Sequence, residues 1–125
     1  MSYPKYILGI NELNLEIQNN LDKMILLIFT ASWCGPCKKL KSVLFSEDNS
    51  CISKQYNDSL IILYIDVDED KNAELSDIYK VSGMPTQVLI KSICDTENKT
   101  IRIEKVSEII GYDIIKLKLL LESNL

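Results

Sequence analysis

Two apolar runs, Met24-Ile25-Leu26-Leu27-Ile28-Phe29-Thr30 and Leu60-Ile61-Ile62-Leu63-Tyr64-Ile65, constrain this chain most. Neither alternates between apolar and polar residues. Each therefore reads as a strand covered on both faces, which requires helices on both sides of a sheet. The first run ends at Trp33-Cys34-Gly35-Pro36-Cys37. Beyond it, Lys38 to Phe45 places Leu40, Val43 and Leu44 on one face at helical spacing. Two cysteines thus fall where a strand gives way to a helix. Unpaired backbone N–H groups and the positive end of the helix dipole favour a thiolate at Cys34. Cys37, one turn further on, is near enough to close a small disulfide ring. Pro36 suits the first turn, where no backbone donor is missed, and Gly35 permits a tight approach. The pattern is that of a redox-active dithiol.

The remaining cysteines narrow this further. Four cysteines, at 34, 37, 51 and 94, are too few and too unevenly spaced for a secreted disulfide scaffold. Cys51 and Cys94 supply no second close pair, so no four-cysteine zinc site and no metal are expected. They read as structural or incidental, with regulatory oxidation or dimerisation as the lesser alternative. The absence of histidine removes Cys–His and Ser–His nucleophilic catalysis. A net charge of −4 argues against a non-specific nucleic-acid or membrane-surface binder. No apolar run reaches the roughly 18 residues of a membrane span. Met1 to Tyr6 is too short and polar for a signal peptide, so a cytoplasmic location is expected. Without such a signal, the sequon Asn98-Lys99-Thr100 should go unused. The acidic stretch Asp66 to Asp70 lacks the spacing and glycine of a calcium loop and reads as a solvated turn.

Along the chain, a single domain over residues 1–125 is expected. Tyr6 to Leu8 reads as an edge strand. Asn11 is the expected cap of a helix whose face is Ile10, Leu13, Ile17 and Leu21. Cys51 to Tyr56 can form a short helix, and Asn72 to Tyr79 another. Val81 to Thr86 is a loop. Gln87 to Ile93 and Ile101 to Val106 read as a hairpin. Asp113 should cap a last helix with Ile114, Leu117, Leu120 and Leu121 facing the core. The order β-α-β-α-β-α-β-β-α implies an α/β fold, a mixed sheet covered on both faces.

Three stretches together resemble the thioredoxin family: Trp33 to Lys38, Tyr79 to Thr86 with its Gly83-Met84-Pro85-Thr86, and Gly111 before the closing helix. Asp66-Val67-Asp68 is similar as well, and the element order matches over nearly the whole chain. The resemblance implies a thioredoxin fold and a protein-disulfide reductase. Cys34 would attack a target disulfide, being the exposed thiol, and Cys37 would resolve the mixed disulfide. Pro85 would be a cis proline against the dithiol. The backbone at Met84 would pair with an extended substrate, and Trp33, Gly83, Met84, Pro85 and Gly111 would line an apolar docking surface. For Trp33, ordinary core packing is the lesser alternative, since large aromatics are usually well buried. Disulfide-containing proteins are the implied substrates and a thioredoxin reductase the implied electron donor. No tightly bound cofactor is expected beyond the Cys34–Cys37 disulfide itself, and the protein should be a monomer.

Three positions depart from the family pattern. Ile28 stands where the family usually has a buried Asp, Tyr64 where it has a Lys, and Ser42 where its active-site helix has a proline. The first two normally help move the resolving cysteine's proton, so resolution should be slower or routed through water. An isomerase-type relative would carry His in place of Pro36 and be secretory, and a glutaredoxin would carry paired glycines after the proline loop. A rival of another class is a thioredoxin-fold binding subunit in which the dithiol is a switch or a relic.

Overall fold

The computed structural model describes residues 4–48 and 50–125. Its strands are β1 (Lys5–Tyr6), β2 (Met24–Thr30), β3 (Leu60–Asp66), β4 (Thr86–Asp95) and β5 (Thr100–Ile110). They form one mixed sheet in the order β1-β3-β2-β4-β5. β1, β2 and β3 run parallel; β4 is antiparallel to β2, and β5 to β4. The helices are α1 (Gly9–Asn19), α2 (Gly35–Leu44), α3 (Ile52–Gln55), α4 (Ala73–Ile78) and α5 (Ile114–Asn124). A 3₁₀ turn at Asp70–Asn72 leads into α4.

The missing alternation in β2 has a direct cause. Ile25, Leu27 and Phe29 enter one core with Leu13 and Ile17 of α1 and Leu75 of α4. Leu26 and Ile28 enter the opposite core with Leu40 and Leu44 of α2, Ile52 of α3, and Leu117 and Leu121 of α5. Apolar cover on both faces makes burial, at roughly 25 cal/mol per Å², available to every residue of the strand.

Several expected boundaries shift. Asn11 does not cap α1; the cap lies three residues earlier, at Leu8, and the helix starts at Gly9. Glu12 Oε1 accepts the Leu8 N–H and Asn72 Oδ1 accepts the Gly9 N–H, so an acceptor from far along the chain supplies the capping. Leu21 lies beyond the end of α1 and is exposed, so it does not extend the core face. Asn72 belongs to the 3₁₀ turn, and the helix expected from it starts at Ala73. The hairpin is longer than its apolar runs, reaching Asp95 and restarting at Thr100. Asp95 Oδ1 accepts the N–H groups of Glu97 and Asn98, which holds the connecting turn. Toward that tip, from Lys91 and across to Glu104, the hairpin carries no buried residue, so Ile101 and Ile103 are exposed. Asp113 caps α5 as expected, Oδ1 accepting the Lys116 N–H.

Tyr64 fills the position beside Ile28 in the β2–β3 register. Its ring packs against Tyr6 and Phe45, with centroids 5.3 and 6.0 Å away. Its hydroxyl is buried with no hydrogen-bond partner among the described residues. Burial, with Tyr6 alongside, pushes the phenol's ionisation well above the ordinary range. Tyr64→Phe keeps the ring and removes the orphaned group. It should therefore stabilise the fold by about 1 kcal/mol, read as a higher urea midpoint at unchanged slope.

Candidate active site

The dithiol lies at the N-terminus of α2, reached directly from the end of β2. Cys34 is the N-cap residue, with extended backbone, and its Sγ accepts the Cys37 N–H at 3.2 Å. A sulfur in this role receives a backbone donor and the helix dipole together, which favours its anionic form after reduction. Cys34 and Cys37 are joined as a disulfide, their Cα atoms 5.3 Å apart. Gly35 is the first helical residue and Pro36 sits in the first turn, as expected. Ser42 leaves the helix unbroken; its Oγ donates to the Lys39 carbonyl.

The expected asymmetry in exposure is not found. Cys34 is 5% exposed and Cys37 3%, both packed with Ala31, Val67 and Met84. In the disulfide form, capping geometry and not access is what separates the two sulfurs. Trp33, by contrast, is 67% exposed, which rules out the core-aromatic reading. Its indole Nε1 donates to Asp68 Oδ2 at 2.9 Å, a partner that sequence reading did not assign.

The loop before β4 closes the other side. The Met84–Pro85 peptide bond is cis, as the resemblance implied. Met84 packs on the two cysteines. The Pro85 carbonyl accepts the Gly111 N–H at 2.7 Å. Gly111 has φ +92°, a backbone conformation that side-chain-bearing residues avoid. Gly83 faces Ile110, whose Cγ2 would lie 3.1 Å from an added Cβ. Met84, Pro85 and Gly111 are thus brought together with the dithiol, and Gly83 sits at their edge. Trp33 is anchored on the other side, to the loop after β3.

Sequence reading also missed Gln87. Its buried Nε2 lies 3.2–3.3 Å from the carbonyls of Pro85, Ile109 and Gly111, tying the proline loop to the end of β5. These acceptors are 22 and 24 residues away for Ile109 and Gly111, beyond any local pattern. The lysines after the motif divide: Lys39 lies over the Tyr112 ring at 5.0 Å, while Lys38 and Lys41 line a cavity beside Cys37. Cys51 is buried, its Sγ 3.4 Å from the Ser46 carbonyl, and Cys94 is exposed. Among the described residues, no group of three or more acidic, cysteine or histidine side chains is placed to hold a metal. No helix there is long and apolar enough to cross a membrane.

A dithiol capping a helix, beside a cis-proline loop on a five-stranded mixed sheet, defines a thiol-disulfide oxidoreductase with the thioredoxin fold. The family model for thioredoxin matches residues 7–110, and the chain belongs to the thioredoxin family. It is 40% identical over 81 residues to thioredoxin-1 of Drosophila melanogaster, covering 65% of this chain and 69% of that relative. The crystal structure of the germline-specific thioredoxin Deadhead of Drosophila melanogaster superposes with a TM-score of 0.74 at 30% identity over the full length of both chains. Reduced Schistosoma mansoni thioredoxin pre-protein superposes with a TM-score of 0.73 at 25% identity, covering 99% of this chain and all of that one.

Proposed function

We propose that this chain reduces disulfide bonds in other proteins. The observation that carries this is the Cys34 sulfur at the cap of α2, receiving the Cys37 N–H, beside the Met84–Pro85 loop. In the reduced protein the Cys34 thiolate attacks one sulfur of a target disulfide and forms a mixed disulfide. Cys37 then attacks the Cys34 sulfur, restoring the Cys34–Cys37 bond and releasing the target as two thiols. Two electrons pass from the dithiol to the target. The exposed Trp33, with Met84, Pro85, Gly83 and Gly111, supplies the docking surface, and the Met84 backbone pairs with an extended target segment.

A flavin- and NADPH-dependent thioredoxin reductase would return the electrons. The protein would work as a monomer without a bound cofactor, in a cytoplasmic setting where thiols are kept reduced. The Ile28–Tyr64 pair favours a second reading, a binding subunit with a vestigial dithiol, because neither residue offers Cys37 a base. Equilibration of the Cys34–Cys37 couple in redox buffers separates these. A potential near the roughly −270 mV of thioredoxin supports the reductase; about −180 mV or higher overturns it in favour of an oxidant. Failure to form the disulfide at all supports the binding subunit.

A further inference from the structure

We infer that Asp66 takes the proton from Cys37 as Cys37 resolves the mixed disulfide, acting across the cavity that the two residues share, with Lys41 holding that cavity positive. The inference rests on the reductase reading above. A thiol must lose its proton to become the attacking nucleophile. Cys37 is buried and lines a cavity of about 260 Å³ together with polar side chains.

The titratable and charged groups facing that cavity come from three elements: Tyr6 of β1, Lys38 and Lys41 of α2, and Asp66 of β3. Two amines and a phenol present hydrogen-bond donors, and Asp66 brings the one carboxylate of the four. Asp66 ends β3 opposite Thr30, the last residue of β2, which also lines the cavity. Its Oδ1 accepts the Asp68 N–H at 2.9 Å, so the carboxylate is fixed and its other oxygen has no protein partner among the described residues. Lys41 is fixed as well. Its Nζ bonds the Tyr6 hydroxyl and lies over the Tyr6 and Tyr64 rings at 4.7 and 5.2 Å. The volume and polar lining suit several water molecules, enough to link sulfur and carboxylate.

In the step proposed, the Cys37 S–H proton passes through water to the Asp66 carboxylate. The freed sulfur pair attacks Cys34 Sγ and forms the Cys34–Cys37 bond. The bond from Cys34 to the target breaks, and its electron pair leaves on the target sulfur, which takes up a proton from water. Asp66 then returns its proton to solvent.

The test uses the full chain carrying Cys94→Ser, since Cys94 is exposed and would react on its own. The reduced protein is mixed rapidly with one equivalent of dithiobis-nitrobenzoate. The first thionitrobenzoate is released when Cys34 attacks and the second when Cys37 resolves. Asp66→Asn should leave the first phase unchanged and slow the second about 10–100-fold at pH 7, at or below the usual contribution of a positioned base. The deficit should narrow as pH rises and the thiol ionises unaided. Asp66→Glu should recover much of the rate. A second phase with unaltered rate and pH profile in Asp66→Asn overturns the inference. So does an equal slowing of both phases at every pH, which marks a structural role. A parent protein that never releases the second equivalent instead overturns the reductase reading on which the inference rests.

Discussion

Cys34→Ser should reduce disulfide reduction to the uncatalysed background, whereas Cys37→Ser should react once per molecule and stop. The difference follows from the roles of the two sulfurs. Only a thiolate attacks a disulfide at a useful rate near neutrality, and serine provides none. With Cys34 intact and Cys37 absent, the first exchange proceeds but no internal thiol displaces the target, so the mixed disulfide accumulates. The helix cap modulates this step without dominating it. Lowering a thiol pKa from about 8.5 to about 7 raises the thiolate fraction at pH 7 roughly 15-fold, while the weaker nucleophile gives back roughly fivefold. A net gain near threefold is small beside the total loss from removing the sulfur. Insulin reduction followed by turbidity, with mass spectrometry of trapped adducts, would measure both variants. Substantial turnover by Cys34→Ser would refute the assignment of the attacking sulfur. Substantial turnover by Cys37→Ser would refute the resolving role.

Much of this site was legible from local pattern. Apolar runs that do not alternate announced β2 and β3 as strands covered twice, and their side chains do divide between two cores. The strand-to-helix junction placed Cys34 at the start of a helix, and the structure makes it the cap, its sulfur accepting the Cys37 N–H. What local pattern misses is polar contact between distant residues. Asn72 reads as the start of a helix, yet its amide bonds Gly9 and Ile7, 63 and 65 residues away, at the start of α1. Gln87 looked like an ordinary strand residue until β5 and the Gly111 turn were placed around it. Asp66 read as part of a solvated acidic turn, because nothing in its neighbours states that β3 ends level with β2. Exposure also resisted reading: Cys34, expected to be the exposed thiol, is covered in its disulfide form, where Met84 packs on it from a loop about fifty residues on.

Ile28→Asp should destabilise the protein by about 3–5 kcal/mol at pH 7, although relatives in this family usually carry Asp at that position. Ile28 is fully buried in the core formed with Leu40, Leu44 and Leu117. Its register partner is Tyr64, not a cation, so an ionised carboxylate there would be desolvated without a charge to answer it. The Tyr64 hydroxyl is an unpartnered donor in the same core and could recover one hydrogen bond, about 1 kcal/mol of the loss. Burial would raise the native pKa of the new acid above its unfolded value of about 3.9. Below that value the group is neutral in both states and the electrostatic penalty vanishes. As pH rises toward the native pKa the unfolded state alone loses its proton, and stability falls across that window before levelling off. Ile28→Val, which removes one methyl group and adds no charge, should cost only about 0.5–1.5 kcal/mol at every pH. Adding Tyr64→Lys to Ile28→Asp should restore part of the stability through the paired charges, and the double-mutant cycle would give the coupling directly. Urea unfolding at pH 4 and pH 7 measures the parent, Ile28→Val, and the two single variants and double variant of the cycle. If Ile28→Asp is as stable as the parent at pH 7, the apolar Ile28–Tyr64 pair is not integral to this core, and the case for a proton route outside positions 28 and 64 loses its structural basis.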